Sequence, residues 1–223
     1  MEIKHKSAKT GIVGMSGTGK TIYLFSELVN RVGTRFFFDQ EGQHESYLAP
    51  KGVKYRLLLT EDDFLDFEND DAPKKAEDGE LVIFDPVKLY EGRSTDAFNF
   101  FCEWVFELSK REDWKPLPKL FGVDELQTLI STDDITFYLS CVLETGRRYM
   151  LDWVSIQQAF NLVHNRLRNQ LTEIVAFRTI ERQALKFLED LGFEPEQVKA
   201  LPDLSYIRRD LKLSTTVEGE ITP

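Results

Sequence analysis

The sequence predicts an α/β fold in which a mostly parallel central sheet is flanked by helices. Three observations lead to it. Short β-rich runs alternate along the chain with longer amphipathic stretches. Several of those runs are apolar throughout, as strands buried on both faces are, instead of alternating in and out. The first run passes through a glycine-rich loop directly into a helical pattern, the strand-loop-helix order of a parallel unit.

The elements follow in order. Strands are expected at Thr10 to Val13, Arg35 to Phe38, Tyr55 to Leu59, Leu81 to Phe84, Leu120 to Val123, Trp153 to Ile156 and Ile174 to Phe177, each rich in β-branched, leucine or aromatic residues. Helices are expected at Thr21 to Val32, Thr95 to Lys110, Ile135 to Thr145 and Glu181 to Leu191, the last stopped by Gly192 as a C-terminal cap. The charged stretch from Glu61 to Gly79, with Asp70-Asp71-Ala72-Pro73 inside it, reads as a helix end followed by a solvent-exposed loop. After Phe193 a short helical pattern over Glu196 to Ala200 precedes an edge strand at Tyr206 to Ser214, and Val217 to Pro223 is expected to fray. Residues 1–192 therefore read as one domain, and 193–223 as an extension packed on it.

Composition narrows the function classes. With 223 residues, 42% apolar and 12% aromatic, the chain can bury a substantial core, which excludes a disordered polypeptide. Cys102 and Cys141 are too few for a disulfide framework and lack metal-binding spacing, which fits a reducing compartment. The longest apolar runs fall far short of the roughly 20 residues that span a bilayer. The lysines near the N-terminus lead into a strand and not into a signal-peptide core, so the cytosol is the expected location. A net charge of -10 argues against a polyanionic partner, yet residues 61–80 alone hold ten acidic residues against two lysines. Outside that segment the balance is nearly neutral, and Arg147, Arg148, Arg166, Arg168, Arg178 and Arg182 crowd one later stretch. Nucleic acid therefore stays open through a local basic patch.

The glycine-rich loop is Gly14-Met15-Ser16-Gly17-Thr18-Gly19-Lys20-Thr21, a match to G-x-x-x-x-G-K-[ST] between a strand and a helix. Its glycines let backbone N–H groups turn inward around phosphate oxygens, while the helix presents its positive end to the same anion. Lys20 is placed to reach the β- and γ-phosphates, and the Thr21 hydroxyl to ligate Mg²⁺. A nucleoside triphosphate with magnesium is the implied ligand, and the resemblance given below implies that it is ATP.

Hydrolysis also needs a carboxylate beside magnesium and another to orient water. Three apolar strands end in Asp, at Asp39, Asp85 and Asp124, and only Asp124 is followed by Glu. Asp124 is expected to hold the magnesium shell and Glu125 to polarise water, whereas Asp39 and Asp85 read as turn or cap residues. Gln157 closes another buried strand, at the edge where open α/β sheets bind ligands, and could sense the γ-phosphate or merely begin a loop with Gln158. Gly146-Arg147-Arg148-Tyr149 offers a planar cation on a surface turn, suited either to a neighbouring subunit's nucleotide or to capping a helix end.

In this order the residues resemble the HerA/FtsK superfamily of P-loop motor ATPases, with a RecA/FtsK-like core, and especially the small genome-packaging ATPases of tailless, internal-membrane (tectivirus-like) icosahedral viruses. The resemblance spans roughly residues 10–190. It rests on Gly14 to Thr21, Asp124-Glu125, Gly146 to Tyr149, the strand ending in Gln157, and the stretch Asn165 to Phe177. It implies that Lys20 and Thr21 bind nucleotide and magnesium, that Asp124 and Glu125 serve hydrolysis, that Gln157 is the sensor, and that Arg147 or Arg148 is a finger acting in trans. It further implies a ring, commonly a hexamer, that translocates double-stranded DNA, docks on capsid vertex proteins, and is found in host cytoplasm and virion. The chain's brevity points to the viral branch. In such a ring only pore-facing cations need touch phosphates, and Arg166, Arg168 and Lys54 are the candidates. Two other readings compete: a small-molecule or nucleotide kinase, and a Zot-like phage assembly or extrusion ATPase.

Overall fold

The computed structural model describes residues 7–69, 75–91, 93–130, 135–157 and 164–222. Nine strands and nine α-helices are described: β1 (Lys9–Val13), α1 (Lys20–Asn30), β2 (Thr34–Phe38), α2 (His44–Leu48), β3 (Arg56–Leu58), α3 (Glu61–Asn69), β4 (Leu81–Phe84), α4 (Val87–Tyr90), α5 (Ser94–Lys110), β5 (Lys119–Val123), α6 (Phe137–Thr145), β6 (Leu151–Gln157), α7 (Asn165–Arg168), β7 (Glu173–Phe177), α8 (Arg182–Asp190), α9 (Pro195–Ala200), β8 (Ser205–Asp210) and β9 (Thr215–Glu220). All the strands run in one sheet, ordered β3-β4-β2-β5-β6-β1-β7-β8-β9. Pairing is parallel for β3 with β4, β4 with β2, β2 with β5, and β1 with β7. It is antiparallel for β7 with β8 and β8 with β9. The expected α/β class is the observed one, a mixed, mostly parallel sheet with flanking helices.

Contacts divide the chain into two compact units. The first comprises Met1–Ser7, Glu27–Val123 and Thr136–Trp153. Its core is aromatic. Phe36 and Phe38 of β2, Phe84 of β4 and Phe121 of β5 are fully buried with Phe101 of α5, and Trp104 is nearly so. Ring centroids lie 5.3 Å apart for Phe101 and Phe121 and 5.7 Å apart for Phe36 and Trp104, both edge to face, where each pair adds about 0.5–1.5 kcal/mol beyond its buried area. The stretch from Glu61, expected as a helix end followed by an exposed loop, begins with a full helix of its own. The nine residues of α3 bury Phe64 and Phe67, three apart on one face, and leave Glu61, Asp62 and Asp66 exposed. Asp63 starts this helix by accepting the Leu59 and Thr60 N–H groups, both at 2.8 Å, which also holds its carboxyl below the usual range. The Asp70 to Pro73 run lies outside the described residues, as does Gln158.

The second unit comprises Ala8–Ser26, Asp124–Ile135 and Val154–Pro223. Here β1 pairs with β7 from Thr10 opposite Glu173 to Val13 opposite Ala176, and every residue of β1 is buried. Tyr23 of α1 packs edge to face on Phe177 and Tyr206 at 5.9 and 4.9 Å. The expected frayed end is instead a strand: Thr215–Glu220 pairs with β8 from Thr215 opposite Asp210 to Glu220 opposite Ser205. Its residues are nearly all exposed, so backbone hydrogen bonding to β8 supplies the order that an apolar pattern would have advertised.

Candidate nucleotide site

Every component of the candidate site described next lies in the second unit. Strand β1 ends at Val13 and the chain enters α1 at Lys20, so Gly14 to Gly19 form the loop. The loop is pinned at both ends and open in the middle. Met15 N–H donates to the Arg178 carbonyl at 3.0 Å, just past β7, and a Cβ on Gly14 would sit 2.6 Å from that of Phe177. At the tip, Gly17 has φ +78° with nothing within 4 Å of where a Cβ would be, while Met15 and Ser16 are exposed beside it. The buried Thr18 hydroxyl bridges the loop by donating to the Met15 carbonyl at 2.9 Å.

Lys20 is folded over the same loop, its Nζ donating to the Met15 carbonyl at 2.8 Å. It is only 6% exposed, and burial pulls its pKa below 10.5 while the charges of Asp124 and Glu125 push the other way. Those three charges therefore share one neighbourhood. The Thr21 hydroxyl donates to Asp124 Oδ2 at 3.3 Å across 103 residues of sequence. Asp124 Oδ1 accepts the Glu125 N–H at 2.8 Å, and the Glu125 carbonyl accepts the N–H and hydroxyl of Thr128 at 2.9 and 2.8 Å. Glu125 itself is left-handed, φ 47° and ψ 45°, a conformation that costs a side-chain-bearing residue about 1–2 kcal/mol and concentrates at functional sites. Hydroxyl and carboxylate oxygens together, hard donors beside an open helix N-terminus, are the set that suits Mg²⁺ with a phosphate; the residues present fit both.

Gln157 is fully buried at the end of β6, which lies between β5 and β1 in the sheet. Its Nε2 donates to the Ser155 hydroxyl at 3.1 Å, and its Oε1 is buried with no hydrogen-bond partner among the described residues. Such a group costs about 1–3 kcal/mol unless something completes it.

The remaining expected residues lie elsewhere. Arg147 and Arg148 are exposed on the 3-10 turn after α6, in the first unit, with no ion pair to a described residue. Lys54 is exposed before β3 in the first unit; Arg166 is exposed and Arg168 half-buried on α7 in the second. Asp85 caps a turn through the Val87 N–H at 3.0 Å. Asp39 accepts the Gln43 and His44 N–H groups and binds the His44 ring at 2.5 Å, a local turn anchored by a buried pair.

Sequence reasoning missed what stands behind the loop. Leu204 N–H donates to the Thr18 carbonyl at 3.0 Å, and Ile221 N–H donates to the Leu204 carbonyl at 2.9 Å. The Leu204 and Ile221 side chains come within 2.9 Å of where a Gly19 Cβ would be, and Gly19 has φ +106°. The C-terminal β8-β9 hairpin thus braces the phosphate loop. The Arg178–Asp203 ion pair at 2.6 Å ties β7 to the same corner.

No protein-family model and no curated protein matches this sequence. Solved structures do. The genome packaging NTPase B204 from Sulfolobus turreted icosahedral virus 2, in complex with AMPPCP, aligns with TM-score 0.67 and 15% identity over 96% of this chain and 97% of that one. B204 of Sulfolobus turreted icosahedral virus, described as a DNA-packaging ATPase, aligns with TM-score 0.68 and 13% identity over 97% and 98%. The bacterial conjugative coupling protein TrwB aligns with TM-score 0.63 and 12% identity over 96% and 84%. These likenesses establish the fold, one shared with genome packaging NTPases and a conjugative coupling protein. No helix among the described residues is long and apolar enough to cross a membrane.

Proposed function

We propose that the protein is an ATPase that drives double-stranded DNA into a preformed viral capsid. The observation that carries this reading is the meeting of the phosphate loop with the acidic pair, Thr21 against Asp124 at 3.3 Å with Lys20 in the field of Asp124 and Glu125. The loop's backbone N–H groups and Lys20 bind the triphosphate, Lys20 exchanging its Met15 carbonyl for phosphate oxygens. Thr21 and Asp124 would hold magnesium, which when bound neutralises charge on the phosphates. Glu125 orients a water for in-line attack on the γ-phosphate and accepts its proton. Gln157, whose Oε1 lacks a partner among the described residues, reports the γ-phosphate. A ring of subunits, a hexamer by resemblance, brings Arg147 or Arg148 of one subunit to the nucleotide of the next, and Arg166, Arg168 and Lys54 contact DNA phosphates. Host cytoplasm and the packaging vertex of the virion are where such a machine works, against capsid vertex proteins. The structural likeness to packaging NTPases and a conjugative coupling protein supports a DNA-handling ATPase over a kinase.

The test is ATP turnover as a function of protein concentration, with and without double-stranded DNA. Turnover is expected to rise with both, and to vanish in Lys20→Ala together with nucleotide binding. Turnover indifferent to DNA and dependent on a small phosphoryl acceptor would overturn the motor and favour the kinase.

A further inference from the structure

Leu204 stands against the phosphate loop in an unusual backbone conformation. It is left-handed, φ +66°, a region that residues with a Cβ mostly avoid and that clusters where function requires it. Both of its polar backbone groups are engaged there. Its N–H donates to the Thr18 carbonyl at 3.0 Å, and its carbonyl accepts the Ile221 N–H at 2.9 Å. The neighbouring Asp203 accepts the Arg178 guanidinium at 2.6 Å, while the Arg178 carbonyl holds the Met15 N–H at 3.0 Å. One connected scaffold therefore grips the loop at Met15 and at Thr18.

Gripping Thr18 has a directional consequence. No peptide bond among the described residues is cis, so the Thr18 carbonyl and the Gly19 N–H share one plane and point in opposite directions. With the carbonyl drawn toward Leu204, the Gly19 N–H is turned away from the hairpin, and it donates to no described residue. Gly19 is half-buried, its φ of +106° permits this orientation, and the Leu204 and Ile221 side chains close the space behind it. An uncommitted N–H at the entry to a helix, next to Lys20, is a donor placed for an anion.

We propose that Leu204 is a positioning residue for the phosphate loop: its left-handed backbone holds the Thr18 carbonyl and so aims the Gly19 N–H at a phosphate oxygen of the bound nucleotide. The inference rests on the reading of this loop as a nucleotide site. It adds that affinity for the phosphates is set by backbone conformation in the C-terminal segment, and not by the bulk of the Leu204 side chain. A donor aimed in advance needs no reorientation when the anion arrives, and this is the source of its strength.

The test titrates the full chain with AMPPCP and magnesium by calorimetry, using two substitutions that a backbone role and a side-chain role rank in opposite order. Leu204→Asn keeps the N–H and adopts the left-handed region readily, so it is expected to hold affinity within about threefold of wild type. Leu204→Ile keeps the apolar bulk but is β-branched and resists that region, so it is expected to bind at least about tenfold more weakly. A third protein carries the α-hydroxy acid analogue of leucine at position 204, introduced by nonsense suppression, which exchanges the N–H for an ester oxygen and leaves the side chain in place. It is expected to lose at least about fivefold in affinity, and it decides the matter if the isoleucine variant does not fold. Weakened binding in Leu204→Asn with full binding in Leu204→Ile would make the side chain a simple apolar wall and overturn the proposal. So would wild-type affinity in the ester. A wild-type chain that binds no AMPPCP would instead overturn the nucleotide site itself, and this inference with it.

Discussion

Glu125 allows its side chain and its backbone to be tested apart. The residue is left-handed, held there by Asp124 on its N–H and Thr128 on its carbonyl, at a cost of about 1–2 kcal/mol for any residue with a Cβ. Glu125→Ala removes the carboxylate and keeps the strain, whereas Glu125→Gly removes both. Glycine also enlarges the unfolded ensemble by about 0.5–1 kcal/mol, so the glycine variant is expected to exceed the alanine variant by about 0.5–1 kcal/mol. In a chain of this size that is a Tm higher by about 1–4 °C, readable by calorimetry or urea denaturation. Both variants are expected to bind ATP and to lose turnover by about 10²–10⁴, the worth of a positioned general base. An alanine variant as stable as the glycine one would refute the strain argument. Wild-type turnover in either would refute the catalytic assignment.

Gly19→Ala drives a Cβ to within 2.9 Å of Leu204 and Ile221 at a left-handed φ, and is expected to cost about 1–3 kcal/mol in urea denaturation and to weaken nucleotide binding; unchanged stability would break the claim that the hairpin braces the loop. Lys119, buried at the start of β5 and donating to the Trp114 and Leu117 carbonyls, has its pKa lowered to about 7 by burial. Below about pH 7 it is charged in both folded and unfolded chains and the burial penalty is complete; between about 7 and 10.5 only the folded chain sheds the proton, so stability rises with pH. Lys119→Met is expected to flatten that rise, which denaturation midpoints at several pH values would show, and an identical pH slope in both proteins would refute it. If Arg147 or Arg148 acts in trans, mixing a subunit lacking both arginines with Lys20→Ala subunits is expected to restore turnover that neither has alone, and failure under verified co-assembly would count against the finger.

Strands such as Leu81–Phe84 were legible because a strand buried on both faces is apolar at every position, a local property that survives without knowing its neighbours. The glycine-rich loop was legible for a similar reason: a loop suited to a phosphate carries glycines, a lysine and a hydroxyl within eight positions. The start of α3 was read only as a helix end, and its buried face was missed because a high count of carboxylates masked two phenylalanines spaced to share one face. Strand β9 was hidden because it is exposed and is ordered by its ladder with β8, which depends on a partner and leaves no periodic trace.

The sequence by itself determined the mostly parallel α/β architecture, which rests on residue types at short spacing, and it singled out the glycine-rich loop and the Asp124-Glu125 pair as the expected site. Only the tertiary structure decided that Thr21 reaches Asp124, that Gln157 keeps a buried oxygen unpaired among the described residues, that Glu125 is held left-handed, and that Leu204 and Ile221 stand behind Gly19. Contacts across a hundred or more residues are set by how strands order within the sheet, and no local pattern encodes that order.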